Sequence, residues 1–335
     1  MRYELLSFST DDTEKLALFK ELRRRLWQED SAESIPDGAR LFLVMENGVP
    51  ISRAAALTNP LMRFREETPG LLGYFESENT PAATELLFAA VEEYHRAHGR
   101  NFLIGPLNGS TWQSYRVTLP SAAAPFFLDN RSLPHYQSLF EKHGFTAIAN
   151  YITTRTELSE TEFTRLERSR AYFAKRGIFV RNFRMAEAEA ELRRIHALSL
   201  KSFRNNFLYT PIAFEPFHAQ YQRLMPLLKE DDILLAEDSD GELVGFLFAF
   251  ENRNAPRAGE MVIKTLAAAP APYCRGVGTF LVELFQKQAH DAGFRAAFHA
   301  LMHEENISAK IGKHAEVHER YALYGKSLTE AVYGE

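Results

Sequence analysis

The sequence predicts an α/β protein of two similar domains, each a mixed, largely antiparallel sheet flanked by helices. Three observations predict it. A strand–turn–strand pattern occurs once in each half, each such hairpin follows a stretch of helical periodicity, and the order of elements after the two hairpins repeats. A length of 335 residues suits about two domains.

In the first half, Thr13 to Gln28 has the spacing of an amphipathic helix. Leu41 to Glu46 reads as a strand, Asn47-Gly48 as a hairpin turn and Ile51 to Ala56 as the return strand. Leu71 to Glu76 is a third strand, Ala82 to His98 a long helix stopped at Gly99, and FLIGP (102–106) the next strand. The second half repeats this with a helix over Ala186 to Phe203, strands over Ile233 to Glu237 and Leu243 to Phe250, and a turn at Asp238 to Gly241. Met261 to Ala268 is its third strand, Gly278 to Ala292 its long helix, and AAFHALM (296–302) the following strand. Each half closes with a short helix and a strand pair, Gly144 and Gly312 standing at comparable places. The charged helical stretch 158–176 reads as a linker between domains 1–157 and 177–335.

Composition narrows the function. Hydrophobic residues at 45% and charged residues at 25% are those of a soluble globular chain with a sizeable core. A net charge of −5 disfavours nucleic acid and anionic membranes as partners. A single cysteine, Cys274, cannot form an internal disulfide, which suits a reducing, cytoplasmic compartment. No basic flank with an apolar stretch marks a signal peptide, and no apolar run reaches the roughly 20 residues of a membrane span. The spacings His299/His303 and His314/His318 lack an HExxH context or cysteine ligands, so no metal is expected, and no GxSxG elbow supports a serine nucleophile.

The most informative stretch is TLAAAPAPYCRGVGTFLVELFQ (265–286). An apolar strand ends near Pro270, and Gly276-Val277-Gly278 opens a helix whose apolar positions are Phe280, Leu281, Leu284 and Phe285. Glycines at a strand-to-helix turn leave the backbone N–H groups of Gly276 to Thr279 uncovered at the positive end of the helix, a nest for phosphate oxygens, and Arg275 adds a cation. A dinucleotide fingerprint wants a small residue where Leu281 stands, and a Walker loop wants Lys-Ser/Thr where Thr279-Phe280 stand, so both are rejected.

The stretch from Val262 to Leu323 resembles the GNAT superfamily of acyl-CoA-dependent N-acyltransferases. The family pattern Gln/Arg-x-x-Gly-x-Gly/Ala reads here as Tyr273-Cys274-Arg275-Gly276-Val277-Gly278, departing at Tyr273. The likeness extends over 177–335, and the first half resembles the same fold with FESENTPAATELL in place of the loop. There Glu76 and Glu78 oppose a pyrophosphate, so the resemblance implies a degenerate GNAT-like domain that holds no CoA.

The resemblance implies acetyl-CoA as cosubstrate, direct transfer to a small-molecule or peptide amine through a tetrahedral intermediate, and no metal. Arg275, Gly276, Val277, Gly278 and Thr279 would hold the pyrophosphate, and the backbone of Leu266, Ala267 and Ala268 would hold the pantetheine arm and thioester carbonyl. It implies Glu260 as general base and Tyr321, ahead of Tyr324, as general acid; Asn306 and Ser308 would touch the cofactor, Asn306 alternatively capping a helix. His299 reads either as a core histidine or as a cleft residue. The aromatic run Phe203, Phe207, Tyr209, Phe214 and Phe217 reads either as an acceptor pocket or as a seam between the halves. Two other functions keep the same architecture: a non-catalytic CoA-binding or scaffold protein, and a Fem-like aminoacyl transferase, which the short linker and net charge suit poorly.

Overall fold

In a computed structural model the structure describes residues 2–28, 33–121, 123–159, 163, 165–255, 258–306, 309, 311 and 315–329. The chain divides into two compact units, the first of 1–120, 130–150 and 321–335, the second of 121–129 and 151–320.

Unit 1 begins with β1 (Tyr3–Ser9), α1 (Thr13–Trp27), β2 (Arg40–Glu46), β3 (Val49–Thr58), β4 (Gly70–Ser77), α2 (Pro81–Ala97), β5 (Phe102–Gly105), β6 (Val117–Thr118) and α3 (Tyr136–Lys142). β1 to β4 pair antiparallel in sequence order and β5 lies parallel to β4. The β2–β3 turn uses the left-handed conformation at Asn47 (φ 52°) and Gly48 (φ 80°), the geometry that a two-residue hairpin between twisted strands needs. Asp12 caps α1 by accepting the Lys15 N–H at 3.1 Å. The core of this unit centres on Phe75, Phe88, Phe140 and Phe145, whose rings meet edge-on or tilted.

The remaining elements are β7 (Thr146–Glu157), α4 (Leu166–Ala174), β8 (Phe179–Asn182), α5 (Ala188–Ser202), α6 (Phe214–Gln222), β9 (Ile233–Glu237), β10 (Leu243–Glu251), β11 (Glu260–Ala268), α7 (Val277–Asp291), β12 (Ala296–His303) and β13 (Glu316–Ser327). In unit 2, β8 to β11 pair antiparallel in sequence order, β12 lies parallel to β11, and residues 151–157 of β7 pair antiparallel to β12. α7 fills one face of this sheet with Val277, Phe280, Leu281, Leu284 and Phe285. The fold is therefore the expected one, mixed and largely antiparallel in each unit.

Three features go beyond the sequence reading. Each unit has a leading strand, β1 or β8, that pairs with its hairpin; β8 is four residues long and has no alternating burial to betray it. The stretch expected as a linker forms α4, and its Leu166 and Phe173 are buried in the core of unit 2. The end of β13 belongs to unit 1, where Tyr324 to Ser327 pair antiparallel with Gly105 back to Phe102.

Candidate functional site

β11 and β12 run side by side only from Glu260↔Ala296 to Ile263↔His299. Beyond that pair β12 turns away to follow β7 (Met302↔Ile152, His303↔Tyr151) through an irregularity at Ala300-Leu301. Leu301 takes the left-handed conformation there (φ 60°) and gives its N–H to Thr153 Oγ1 at 3.2 Å. β11 continues five residues to Ala268, still paired to β10 by Leu266↔Leu247, Ala267↔Phe246 and Ala268↔Gly245. The two strands thus form a V that opens at the C-terminal end of β11.

Along β11 the backbone groups of alternate residues face β10. Ala269 donates to Val244 O at 2.8 Å, so Leu266 and Ala268 turn their backbone groups the other way, into the V. There Ser202 Oγ, at the end of α5, donates to the Ala268 carbonyl at 3.0 Å. A bulge between Ile263 and Thr265 adds Lys264 to the strand, and Lys264 Nζ donates to Leu128 O at 3.1 Å.

The strand leads directly to the glycine loop. A single 3₁₀ turn, Pro272–Cys274, is followed by Arg275 and by Gly276, the N-cap of α7, at φ 91°. That left-handed angle is what only glycine adopts without strain. No side chain caps the helix, and its first N–H groups have no intrahelical carbonyl to bond. A Cβ at Gly278 would stand 3.6 Å from Leu266, so this position joins the loop to the V edge of β11. Arg275 and Thr279 are exposed beside the helix end, while Val277 is fully buried. Gly245 on β10 makes this approach possible, because a Cβ there would lie 2.6 Å from Val277 Cγ1. Gly245 carries its own signal in the sequence, because a glycine inside an apolar strand marks close approach of another element. Tyr273, where the family pattern has Gln or Arg, points its hydroxyl at Asp238 Oδ2 (3.1 Å), and its pKa is pushed up to about 12 by desolvation and then by that hydrogen bond. Burial likewise pushes the Cys274 thiol up, so it stays protonated.

Leu266, Ala267, Ala268, Arg275, Gly276, Val277, Gly278 and Thr279 therefore come together. Others do not. Glu260 is at the opposite end of β11, six residues before Leu266, or about 20 Å along the strand. Its carboxylate is held by Arg155 (3.3 Å) and by Asn252 Nδ2 (3.1 Å). Tyr321 belongs to unit 1, is fully buried and pairs with Thr118. Asn306 follows β12 in a turn, its N–H on His303 O and its carbonyl on the Ala309 N–H. Ser308 lies outside the described residues, as do Gly312 and His314.

His299 is a core residue. It accepts from Gln286 of α7 at 3.1 Å, and burial lowers its pKa to about 4, keeping the ring neutral. The aromatic run separates as well. Phe217 is fully buried beneath His196, Phe214 lies under the Arg193 guanidinium at 4.0 Å, and Phe207 stands 6.0 Å from the His303 ring. Ser202 on Ala268 and Phe207 near His303 place the segment 202–207 across the mouth of the V.

Unit 1 has the same V, for β4 and β5 pair only at Gly70↔Leu103 and Leu71↔Ile104. Its own chain fills the opening. Leu107 N–H bonds Leu72 O (2.9 Å), Asn108 Oδ1 accepts from Tyr74 N (2.7 Å), the Tyr136 hydroxyl accepts from Ser77 N (3.2 Å), and His135 Nε2 donates to Ser77 O (2.8 Å). Glu76 is buried there, bonded by Arg23, Trp27 Nε1 (2.9 Å) and the Tyr136 hydroxyl (2.6 Å). The α2 start presents Pro81, which has no N–H, and the nearby Glu78 carboxylate is paired with Arg25 at 2.6 Å.

Residues 192–310 match the model of the Acetyltransferase (GNAT) family. They are a GNAT-family domain. No curated protein matches the chain significantly. Among solved structures, a GCN5-related N-acetyltransferase from Sphaerobacter thermophilus aligns over 97% of this chain and 96% of its own, at 15% identity and TM-score 0.52. A tandem GNAT protein from the clavulanic acid biosynthesis pathway aligns over 98% and 100%, at 12% identity and TM-score 0.53. A GCN5-related glucosamine N-acetyltransferase region of a fungal multi-domain GH3 β-N-acetylglucosaminidase gives 13% identity and TM-score 0.54 over 97% of this chain, which spans only 38% of that protein's length. These likenesses extend the GNAT fold beyond the matched domain to nearly the whole chain, as a tandem architecture. Acetyl transfer is the chemistry that names the matched family. Among the described residues, no cluster of side chains could hold a metal ion and no helix is long and apolar enough to cross a membrane.

Proposed function

We propose that unit 2 binds acetyl-CoA and transfers its acetyl group directly to a small-molecule or peptide amine. One observation carries the reading: the α7 N-terminus, opened by Gly276, stands at the end of the same strand whose Leu266 and Ala268 edge faces into the V. The N–H groups of Val277, Gly278 and Thr279, with Arg275, would hold the pyrophosphate. The extended pantetheine arm would lie along Leu266 to Ala268 as an added strand, its amides meeting backbone groups that β12 leaves.

The amine nitrogen would attack the thioester carbonyl carbon, and the Leu266 N–H would take the developing oxyanion. A donor of this kind contributes about 3 kcal/mol. Collapse breaks the C–S bond; the nitrogen gives up one proton and the departing thiolate gains one. Glu260 is tied to Arg155 and Asn252 away from this point, so it joins β11 to β7 and takes no part in the proton transfer. The segment 202–207 would border the acceptor side.

The test is a thermal-shift titration with acetyl-CoA, beside a Gly276→Glu, Gly278→Glu double variant. At a ligand concentration 100 times Kd the native chain gains about 2.7 kcal/mol, and the variant gains nothing. Absence of any shift at millimolar acetyl-CoA would replace this reading with a scaffold or an aminoacyl-transfer role.

A further inference from the structure

We infer that α4, the helix between the two halves of the sequence, forms a second phosphate subsite and takes the 3′-phosphate on the ribose of the CoA nucleotide. This rests on the donor reading above. The Phe173 ring lies 3.5 Å from the place of a Cβ on Gly276 and stacks on Phe280 with centroids 5.0 Å apart, which fixes α4 directly against the phosphate loop. Around that anchor the helix is strongly basic. Residues 165–176 carry Arg165, Arg168, Arg170, Lys175 and Arg176, all exposed, against the single acid Glu167, in a chain whose net charge is −5.

The charges nearest the anchor follow it by two and three residues. Lys175 is the C-cap of α4, and the Arg176 guanidinium stacks 3.5 Å over the exposed Tyr172 ring, which holds its planar fork in one orientation. At the next residue, a Cβ on Gly177 would meet Ser239 at 3.1 Å, and the adjacent Asp238 binds the Tyr273 hydroxyl of the loop. The exit of α4, the β9–β10 turn and the phosphate loop thus share one surface. The turn carries the acids Asp238, Asp240 and Glu242, and the Asp238 carboxylate is committed to Tyr273 and to the N–H groups of Asp240 and Glu242.

The α7 N-terminus has the donors for a pyrophosphate. Lys175 and Arg176 lie outside that nest, where they suit a separate dianion. CoA carries one, the ribose 3′-phosphate, and a pair of charge-assisted contacts to it adds about tenfold in affinity or more.

Calorimetric titration of the full chain with CoA and with 3′-dephospho-CoA tests this, in the native protein, in a Lys175→Ala, Arg176→Ala variant and in a Lys175→Glu, Arg176→Glu variant. CoA should bind native protein at least about tenfold tighter than its dephospho form. The alanine variant should lose that preference and keep its affinity for dephospho-CoA, which also shows that it folds. Charge reversal should make CoA the weaker of the two ligands. Equal affinities in the native chain, or a preference retained in both variants, would overturn the subsite and leave the donor reading standing. Failure of both ligands to bind native protein would overturn the donor reading, and this inference with it.

Discussion

The two units contain the same opening in their sheets and put it to opposite use. In unit 2 the edge of β11 beyond Ile263 leads to a helix start made of Gly276 and Gly278, with Arg275 beside it. In unit 1 the edge of β4 beyond Leu71 is bonded by Leu107, Asn108, His135 and Tyr136, and the helix start has Pro81 and the nearby Glu78. The fold alone therefore does not make the proposed donor site. The proposed site needs a strand edge that its own chain does not fill, although Ser202 meets β11 there on the Ala268 carbonyl, and a helix end that favours negative charge; a few residues decide both.

The comparison breaks down first under acid, which strikes both units alike. Each buries one neutral histidine between its long helix and its sheet: His95 on Leu71 O in unit 1, His299 on Gln286 in unit 2, both with pKa lowered to about 4, chiefly by burial. The native chain binds fewer protons than the unfolded chain, in which histidine titrates near 6.5. Stability from these groups is full above that value and falls as pH drops from about 6.5 to about 4, by up to about 3 kcal/mol per histidine. Chemical denaturation across this range should show the loss, and His95→Gln and His299→Gln should each reduce its slope.

Donor binding should separate the units. Gly276→Glu with Gly278→Glu should weaken acetyl-CoA by 100-fold or more, about 2.7 kcal/mol, and Gly278→Glu alone, which leaves the left-handed Gly276 in place, should weaken it without that position's backbone strain.

A third change acts on unit 1 alone. Tyr136→Phe removes a hydroxyl that both donates to buried Glu76 and accepts from Ser77. It should cost about 2 kcal/mol in equilibrium unfolding and leave the affinity for acetyl-CoA unchanged. An altered affinity would mean that the filled V of unit 1 takes part in donor binding.

The smallest effect is expected at Glu260. Glu260→Gln removes a part-exposed pair with Arg155, worth up to about 1 kcal/mol, and kcat should stay as it is. A large fall in kcat with a shifted pH profile would restore Glu260 as the base.

What the sequence determined by itself is local. Short apolar runs on either side of the turn residues Asn47-Gly48 and Asp238 to Gly241 specified the hairpins β2–β3 and β9–β10, 3.6-residue periodicity specified α1, α2, α5 and α7, and the Gly276-Val277-Gly278 run announced its own turn, because one glycine must take φ 91°. Leu266 to Ala268 were legible as donor contacts only through the family resemblance that this loop supports. What the tertiary structure decided is non-local. The distance of Glu260 from the loop, the bonds that fill the V of unit 1 and the assignment of Tyr321 to Ser327 to unit 1 depend on which strands pair across the chain. No sequence window contains both partners of such a pair. A strand's pattern reveals which face it buries, whereas its neighbour is chosen by packing among all the strands at once.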